Sequence, residues 1–388
     1  YLMSESLNDL DLIGSGDDGN KRMEVEGGQN EYALAGFFAR VNYDYAGKYL
    51  FEVSGRYDGS SRFSENDRWG FFPSASAGWR ISEEKFFSKI KDKFNNLKIR
   101  YSYGSLGNQQ VGYYDYIRKI SIGTSSYLFG TGSKPTIATI GAPVASDLTW
   151  EKVQQHNLGL DASWLGNRLS LTAEAYIRDT KDMLTAGVAL PATYGASSPK
   201  MNAADLRTKG YELSLTWKDL FQLAGQPFSY NITAIFSDYV TDVTKYDNPE
   251  KSFALSHYVG KRWGEIWGYR TDGLFDSDEE AAAWPVDQSM INQAINSAAG
   301  DQRGLHGGDV KFKDLDGDNK ITLGQNTVNN PGDREVIGNT EPRFNYGANL
   351  GFQWLGIDFS IFFQGIGKMD WYPQTNTLLF WGPYARPY

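Results

Sequence analysis

A hydrophobic period of two residues, repeated in run after run, restricts the fold more than any other feature of this chain. In YLFEVSGRYD the side chains of Tyr49, Phe51, Val53, Gly55 and Tyr57 fall on one face, and those of Glu52, Ser54, Arg56 and Asp58 on the other. RLSLTAEAYIR opposes Leu169, Leu171, Ala173, Ala175 and Ile177 to Ser170, Thr172, Glu174 and Arg178. LKIRYSYG and YELSLTWK keep the same rule, with Leu97, Ile99, Tyr101 and Tyr103 on one face of the first and Tyr211, Leu213, Leu215 and Trp217 on one face of the second. Successive side chains point to opposite sides of a strand, so this period predicts an all-β chain with one apolar and one charged sheet face. Soluble sandwiches alternate in the same way, and alternation alone does not separate them from membrane barrels.

The connections add a second constraint. AGK between Tyr45 and Tyr49, LGNR between Trp164 and Leu169, and LG between Trp354 and Ile357 read as tight hairpin turns. Others are long: about 30 residues after Arg178 and about 100 between Val240 and Arg343. Short turns at one end and long loops at the other are the pattern of outer-membrane barrels. Tyr43, Tyr45, Tyr49, Trp164, Phe352 and Trp354 beside the short turns then fit part of an interfacial girdle. Composition agrees, with 42 Gly, 22 Phe, 24 Tyr and 11 Trp. The formal net charge of -9 has the wrong sign for a nucleic-acid partner, and no cysteine is present to form a disulfide or a thiolate site. No apolar run approaches the roughly 18 residues of a membrane helix, which leaves a barrel open.

Few motifs carry chemistry. In KDLDGDNKIT, Asp314, Asp316 and Asp318 alternate as in the first half of a calcium loop, with the Lys320 carbonyl as a fourth oxygen. Asn319 stands where an EF-hand has glycine and Gln325 where it has glutamate, and amphipathic helices do not flank the run. A helix-free calcium loop answers both departures: asparagine tolerates the left-handed conformation, and Asp333 can supply the missing carboxylate. The other reading is an acidic turn without metal. His156, His257 and His306 lack metal-ligand spacing, GSGDDG at Gly14–Gly19 lacks an opening strand for a dinucleotide site, and no nucleophile or paired acid and base suggests an enzyme. SDEE at Ser277–Glu280 is a capping box, and Met290, Ile291, Ala294, Ile295 and Ala298 recur at helical spacing ahead of Gly300. Trp263, Trp267 and Tyr269 in KRWGEIWGYR fit either stacking on a substrate or packing within the loop.

Several longer blocks carry a family resemblance. RYDGSSRFSENDRWGFFPSASAGWRISEEKFF, LKIRYSYGSLGNQ, LTWEKVQQHNLGLDASWLGNRLSLTAEAYIRDTKDML, KGYELSLTW, WGYRTDGLF, GDVKFKDLDGDNKIT and DREVIGNTEPRFNYGANLGFQW, in that order, resemble SusC-type (RagA/SusC) TonB-dependent outer-membrane transporters. The resemblance implies a transmembrane antiparallel barrel of about 22 strands closed by a plug. It also implies import of oligosaccharides or peptides, a SusD-like surface lipoprotein as lid, energy from TonB, and a dimer of transporter–lipoprotein pairs. About twelve strands are legible, and neither a plug nor the family's last strands is recognisable, so residues 1–388 read as part of a single barrel domain. Residues 241–342 read as an extracellular loop region with a short helix and the acidic loop. Arg56, Arg100 and Arg178 on the polar face then bind substrate or pair with plug carboxylates. The competing expectation is a soluble, calcium-dependent β-sandwich adhesin or glycan-binding protein.

Overall fold

The alternating runs are strands, and most pair in the order in which the chain makes them. The computed structural model describes residues 30–291 and 305–371 apart from 92, 129, 131, 133, 146, 188, 189 and 197, with the backbone of 12–15 and 23–26. Strand β1 (Leu12–Ser15) pairs with β2 (Met23–Glu26). A meander follows through β3 (Leu34–Tyr45), β4 (Tyr49–Ser60), β5 (Trp69–Arg80) and β6 (Phe94–Asn108). The chain leaves the sheet for a hairpin of β7 (Ile120–Thr124) and β8 (Thr136–Ile140). It returns as β9 (Glu151–Trp164), β10 (Leu169–Ala186), β11 (Lys200–Leu223) and β12 (Gln226–Lys245). A larger excursion holds β13 (Glu265–Tyr269), β14 (Thr271–Leu274), helix α1 (Asp278–Ala283), β15 (Val310–Phe312) and β16 (Arg334–Asn339). Strands β17 (Arg343–Trp354) and β18 (Ile357–Lys368) then rejoin the wall, giving a ten-stranded sheet in the order β18-β17-β12-β11-β10-β9-β6-β5-β4-β3.

Four hairpin turns at one end of this sheet have the same local cause. Ala46–Gly47, Leu165–Gly166, Ala224–Gly225 and Leu355–Gly356 each place a residue with positive φ before a glycine with positive φ. Two consecutive left-handed residues are what a turn needs to match the twist of its flanking strands, and glycine meets that need without strain. The other end carries the long excursions. One expectation fails there: the connection after Arg178 is only residues 187–199, because β10 runs on to Ala186 and β11 starts at Lys200. A bulge between Thr180 and Met183, with Asp182 at φ 56, breaks the alternation and hides the rest of the strand from a period-two reading.

Register carries the two faces across the whole wall. One row runs Tyr45, Tyr49, Trp79, Ile99, Leu160, Ala173, Leu213, Phe236, Tyr346, Gly365, one residue per strand. A row of the opposite face runs Asn42, Glu52, Ser76, Ser102, Asn157, Tyr176, Gly210, Tyr239. Solvent exposure is inverted relative to a soluble protein: Val53 is 60% exposed and Phe51 48%, while Glu52 and Ser54 between them are half-buried. Among the described residues no second sheet covers the apolar face, which removes the sandwich reading. The apolar run Leu169–Ile177 is as long as a tilted strand needs to cross hydrocarbon, about 9–11 residues. The wall is therefore an antiparallel segment of a transmembrane barrel, polar inside and apolar outside.

Aromatic side chains cluster beside the short turns. The Tyr45 and Tyr49 rings lie 6.4 Å apart, and Glu84 in the β5–β6 connection accepts hydrogen bonds from Tyr49 Oη (2.8 Å), Trp79 Nε1 (3.2 Å) and Lys48 Nζ (3.1 Å). Farther round, Phe352 stacks between Phe228 and Phe359 at 5.8 and 5.2 Å, and Trp164 packs on Phe94 at 5.5 Å. On the polar face Tyr176 lies over Gly210, where an added Cβ would come within 2.6 Å of the ring. Gly210→Val is therefore expected to destabilise the wall by about 1–3 kcal/mol through overpacking. A lowered temperature of the heat-modifiable gel shift checks this, and an unchanged transition would refute it.

Candidate functional site: the loop insertion

The insertion between β12 and β17 begins and ends on neighbouring strands, and polar side chains pin its root. Asp238 and Arg343, 105 residues apart, form a two-pronged ion pair (Oδ1–Nε 2.6 Å, Oδ2–Nη2 2.5 Å), and the Phe344 N–H donates to the same carboxylate at 3.2 Å. Asp238 is buried, and the Arg343 guanidinium also lies over the Phe344 ring. Next to it Tyr239 Oη donates to Glu341 at 2.9 Å, and Arg262 Nε donates to Asp242 at 2.5 Å. The sequence offers no local signal for these pairs, because only strand register brings the partners together.

Inside the insertion the aromatic residues mostly pack on one another. Trp267 lies against Phe253 at 4.8 Å, with its Nε1 donating to Glu265 (2.8 Å) and Tyr258 Oη (3.2 Å). Tyr269 packs edge-on against Phe312 at 5.9 Å. Trp263 stacks on His257 at 5.0 Å and keeps an exposed side. Burial of His257, with Lys261 nearby, holds its imidazole below the usual histidine pKa. The three rings singled out in the sequence thus do not form one platform; Trp263 alone stands partly free. The capping box is realised in part: Ser277 Oγ accepts from the Glu280 N–H, while the Glu280 carboxylate reaches the Asp276 N–H. Helix α1 ends at Ala283, ahead of Pro285, and Lys311 ties it to β15 through Glu280 at 2.6 Å. Of the second helical pattern, Ala294, Ile295, Ala298 and Gly300 lie outside the described residues.

The acidic loop is organised by backbone hydrogen bonds to its own carboxylates. Asp314 accepts from Gly317 (2.7 Å) and Asn319 (2.8 Å), Asp316 from Asp318 (3.2 Å), and Asp318 from Lys320 (2.7 Å). Asn319 has φ 59, the left-handed conformation expected of it. Asp333, wholly buried, reaches in from the following segment and accepts from Leu315 and Thr322 at 2.8 and 2.7 Å. Oxygen atoms of Asp314, Asp316 and Asp333 lie within 4.8 Å of one another. Two oxygens on opposite sides of a calcium ion, each about 2.4 Å from it, are separated by about that distance, so the set fits a hard divalent cation. Asp318 is outside this set; Lys320 lies opposite Asp287 in an isolated bridge whose hydrogen bonds run from the Asp287 N–H to Asn319 O and from the Ile321 N–H to Asp287 O, both 2.9 Å.

The carboxylates differ electrostatically. The Gly317 N–H, opposed by partial burial and joined by further backbone donors, holds Asp314 below its usual pKa. For Asp316 the Asp318 N–H pulls downward, but burial and the charges of Asp318, Asp333 and Asp314 outweigh it and push the carboxyl up. In linkage terms, Asp314 contributes loop stability above the ordinary aspartate range, lost as pH falls through its lowered pKa. Asp316 contributes stability at low pH, lost as pH rises through its raised pKa. A cation removes the second penalty at neutral pH.

On the inner wall, two of the three arginines singled out in the sequence pair with carboxylates of the wall itself. Arg56 pairs with Asp58 through two 3.0 Å bonds, and Arg100 joins Asp161 (3.1 Å) and Glu174. Arg178 lies over the Tyr176 ring at 5.6 Å.

Together the long antiparallel strands, inverted faces and unequal connections define a transmembrane barrel wall of the outer-membrane type. A family model described as TonB dependent receptor-like, beta-barrel, matches residues 7–304, and the chain belongs to this TonB-dependent receptor family. A TonB-dependent receptor of Formosa agariphila is 32% identical over 358 residues, covering 86% of this chain and 32% of that protein. The TonB-dependent receptor SusC of Bacteroides thetaiotaomicron is 34% identical over 206 residues, covering 52% of this chain and 20% of SusC. The chain thus spans about a third of the length of the first relative. The RagAB peptide transporter shares the fold, with a TM-score of 0.67 and 23% identity over 92% of this chain and 35% of that one.

Proposed function

We propose that this chain is part of the wall of an outer-membrane importer, which takes up oligosaccharides or peptides with energy from TonB. The carrying observation is the ten-stranded wall itself: polar rows face inward, apolar rows outward, and structured insertions crown one end. No catalytic constellation enters this reading; the wall supplies a path. The insertion end faces the cell exterior and forms a platform for a SusD-like lipoprotein lid, with dimers of transporter–lipoprotein pairs as the assembly. Trp263, with its exposed side, is the residue of the aromatic trio assigned to substrate stacking.

Calcium is proposed as a structural ion of the platform, held by Asp314, Asp316 and Asp333, with Asp318 and the Lys320 carbonyl as further oxygens. It would relieve the repulsion among clustered carboxylates. Asp316→Asn is expected to lower calcium affinity at least 10-fold while leaving barrel insertion intact, measured by isothermal titration of the purified transporter. Equal calcium binding by both proteins would dispose of the site.

The functional reading is tested by membrane fractionation with a heat-modifiable gel shift, followed by uptake of labelled oligosaccharide or peptide mixtures by cells with and without the gene. Recovery of the intact native protein as a lipid-free soluble monomer would overturn it. Co-purification of a surface lipoprotein tests the lid, and deletion of residues 292–300 is expected to weaken that complex. Residue 287 is spared because the Asp287 backbone bonds to the acidic loop at Asn319 and Ile321.

A further inference from the structure

At the loop end of β9, β10 and β11 the outward-facing side chains change from hydrocarbon to cations. In one register row Ile177 stands between His156 and Lys209. Two residues further, Asp179 stands between Gln154 and Arg207; two beyond that, Lys181 sits directly opposite Lys152. Arg207 closes on Asp179 through bonds of 2.7 and 3.0 Å, and this carboxylate also interacts with the charges of Lys181 and His156. Tyr101 Oη and His156 Nδ1 lie 2.7 Å apart. Among the described residues, Lys152, Lys181 and Lys209 have no carboxylate at salt-bridge distance. Asp179 is taken up by Arg207, and the next carboxylate of this face, Asp205, accepts the Asp182 N–H at 2.9 Å across the bulge, so the three lysines stay without a direct ion-pair partner.

Two features point to an anion there. Like charges directly opposite on adjacent strands repel, so the Lys152–Lys181 pair costs stability unless a counter-charge lies between or above them. The patch also continues upward from the apolar surface, since the row beneath it holds Tyr101, Leu158, Ala175 and Tyr211, with Tyr101, Leu158 and Tyr211 exposed. A soluble anion has no use for that surface, whereas an acyl chain does. We propose that Lys152, Lys181 and Lys209, with Arg207 and His156 at the margin, bind the phosphate of an anionic outer-leaflet lipid whose chains lie along these apolar rows. Basic residues at a membrane rim recognise anionic headgroups in this way. Asp179 holds Arg207 to the wall and limits the net charge of the patch.

The inference rests on the outer-membrane reading, and its test uses only transporter that has inserted and shows the gel shift. The full-length protein is titrated in detergent by native mass spectrometry with diphosphorylated lipid A, with the dephosphorylated lipid, and with inorganic phosphate. The phosphorylated lipid is expected to bind at least 10-fold more tightly than either other probe, and Lys152→Gln with Lys181→Gln to weaken it roughly 10- to 30-fold. Asp179→Asn, which removes the carboxylate paired with Arg207, is expected to tighten it. Equal binding of both lipids, equal binding of inorganic phosphate, or an unchanged double variant would overturn the proposal while leaving membrane location untouched. If the double variant fails to insert, Asp179→Asn decides: tighter binding supports the site and unchanged or weaker binding overturns it.

Discussion

Replacing Asp333 by alanine is expected to unfold the acidic loop while the barrel wall stays intact. The carboxylate is wholly buried and accepts the N–H groups of Leu315 and Thr322. Alanine leaves both donors without a partner in a site that solvent does not reach, at about 1–3 kcal/mol each. Ile321, buried beside this segment, loses its backing as well. Hydrogen exchange should therefore rise by more than 10-fold across residues 309–333, and limited proteolysis should cut there first. The β3–β4 hairpin, whose pairing does not involve the insertion, serves as the internal reference. Comparison with and without a chelator separates two contributions: protection lost in the variant even under chelation comes from the hydrogen bonds, and any additional loss comes from the cation. Exchange equal to wild type in both conditions would refute the assignment of Asp333 as the anchor of the loop.

The second large effect is expected from Asp238→Ala. Breaking a buried ion pair by removing one partner costs about 3–5 kcal/mol, because the remaining charge is left uncompensated. Arg343 is partly exposed and recovers some hydration, which places the cost at the lower end, about 3 kcal/mol. The loss falls where β12 and β17 meet, so the insertion should loosen at its root, with faster exchange at Ser237–Val240 and Phe344–Tyr346. Substituting both residues, Asp238→Leu with Arg343→Met, should cost less than the single change, since no charge is then stranded. A double variant as damaged as the single one would show that the pair acts through geometry rather than charge. If the insertion supports a lid, loosening its root should weaken lipoprotein co-purification.

Much of the wall was legible in the chain itself because strand alternation is local. Tyr49–Asp58 and Leu169–Arg178 state which side chains share a face without reference to any other segment, and AG and LG dipeptides mark turns whose two left-handed residues are a property of those residues. The clustering of aromatic side chains beside the turns followed from the same reasoning. The acidic loop was half legible: alternating aspartates and a left-handed Asn319 are local, and Asp333 was reachable only as a nearby carboxylate. That Asp333 replaces Asp318 in the cluster depends on how the segment after Leu323 folds back. The extent of β10 beyond Arg178 was hidden by a bulge, which shifts the face of every residue after it.

Tertiary structure decided everything that depends on register between distant strands. The sequence separates Asp238 from Arg343 by 105 residues, and Lys152 from Lys181 by most of β9, a turn and most of β10; pairing makes each couple neighbours. Trp267 and Tyr269 read equally well as substrate contacts or packing until Phe253 and Phe312 were placed against them. The physical reason is the same in each case. A side chain's direction is set by its own backbone, whereas its partner is set by which strands pair and at what offset, and that choice is made by the sheet as a whole.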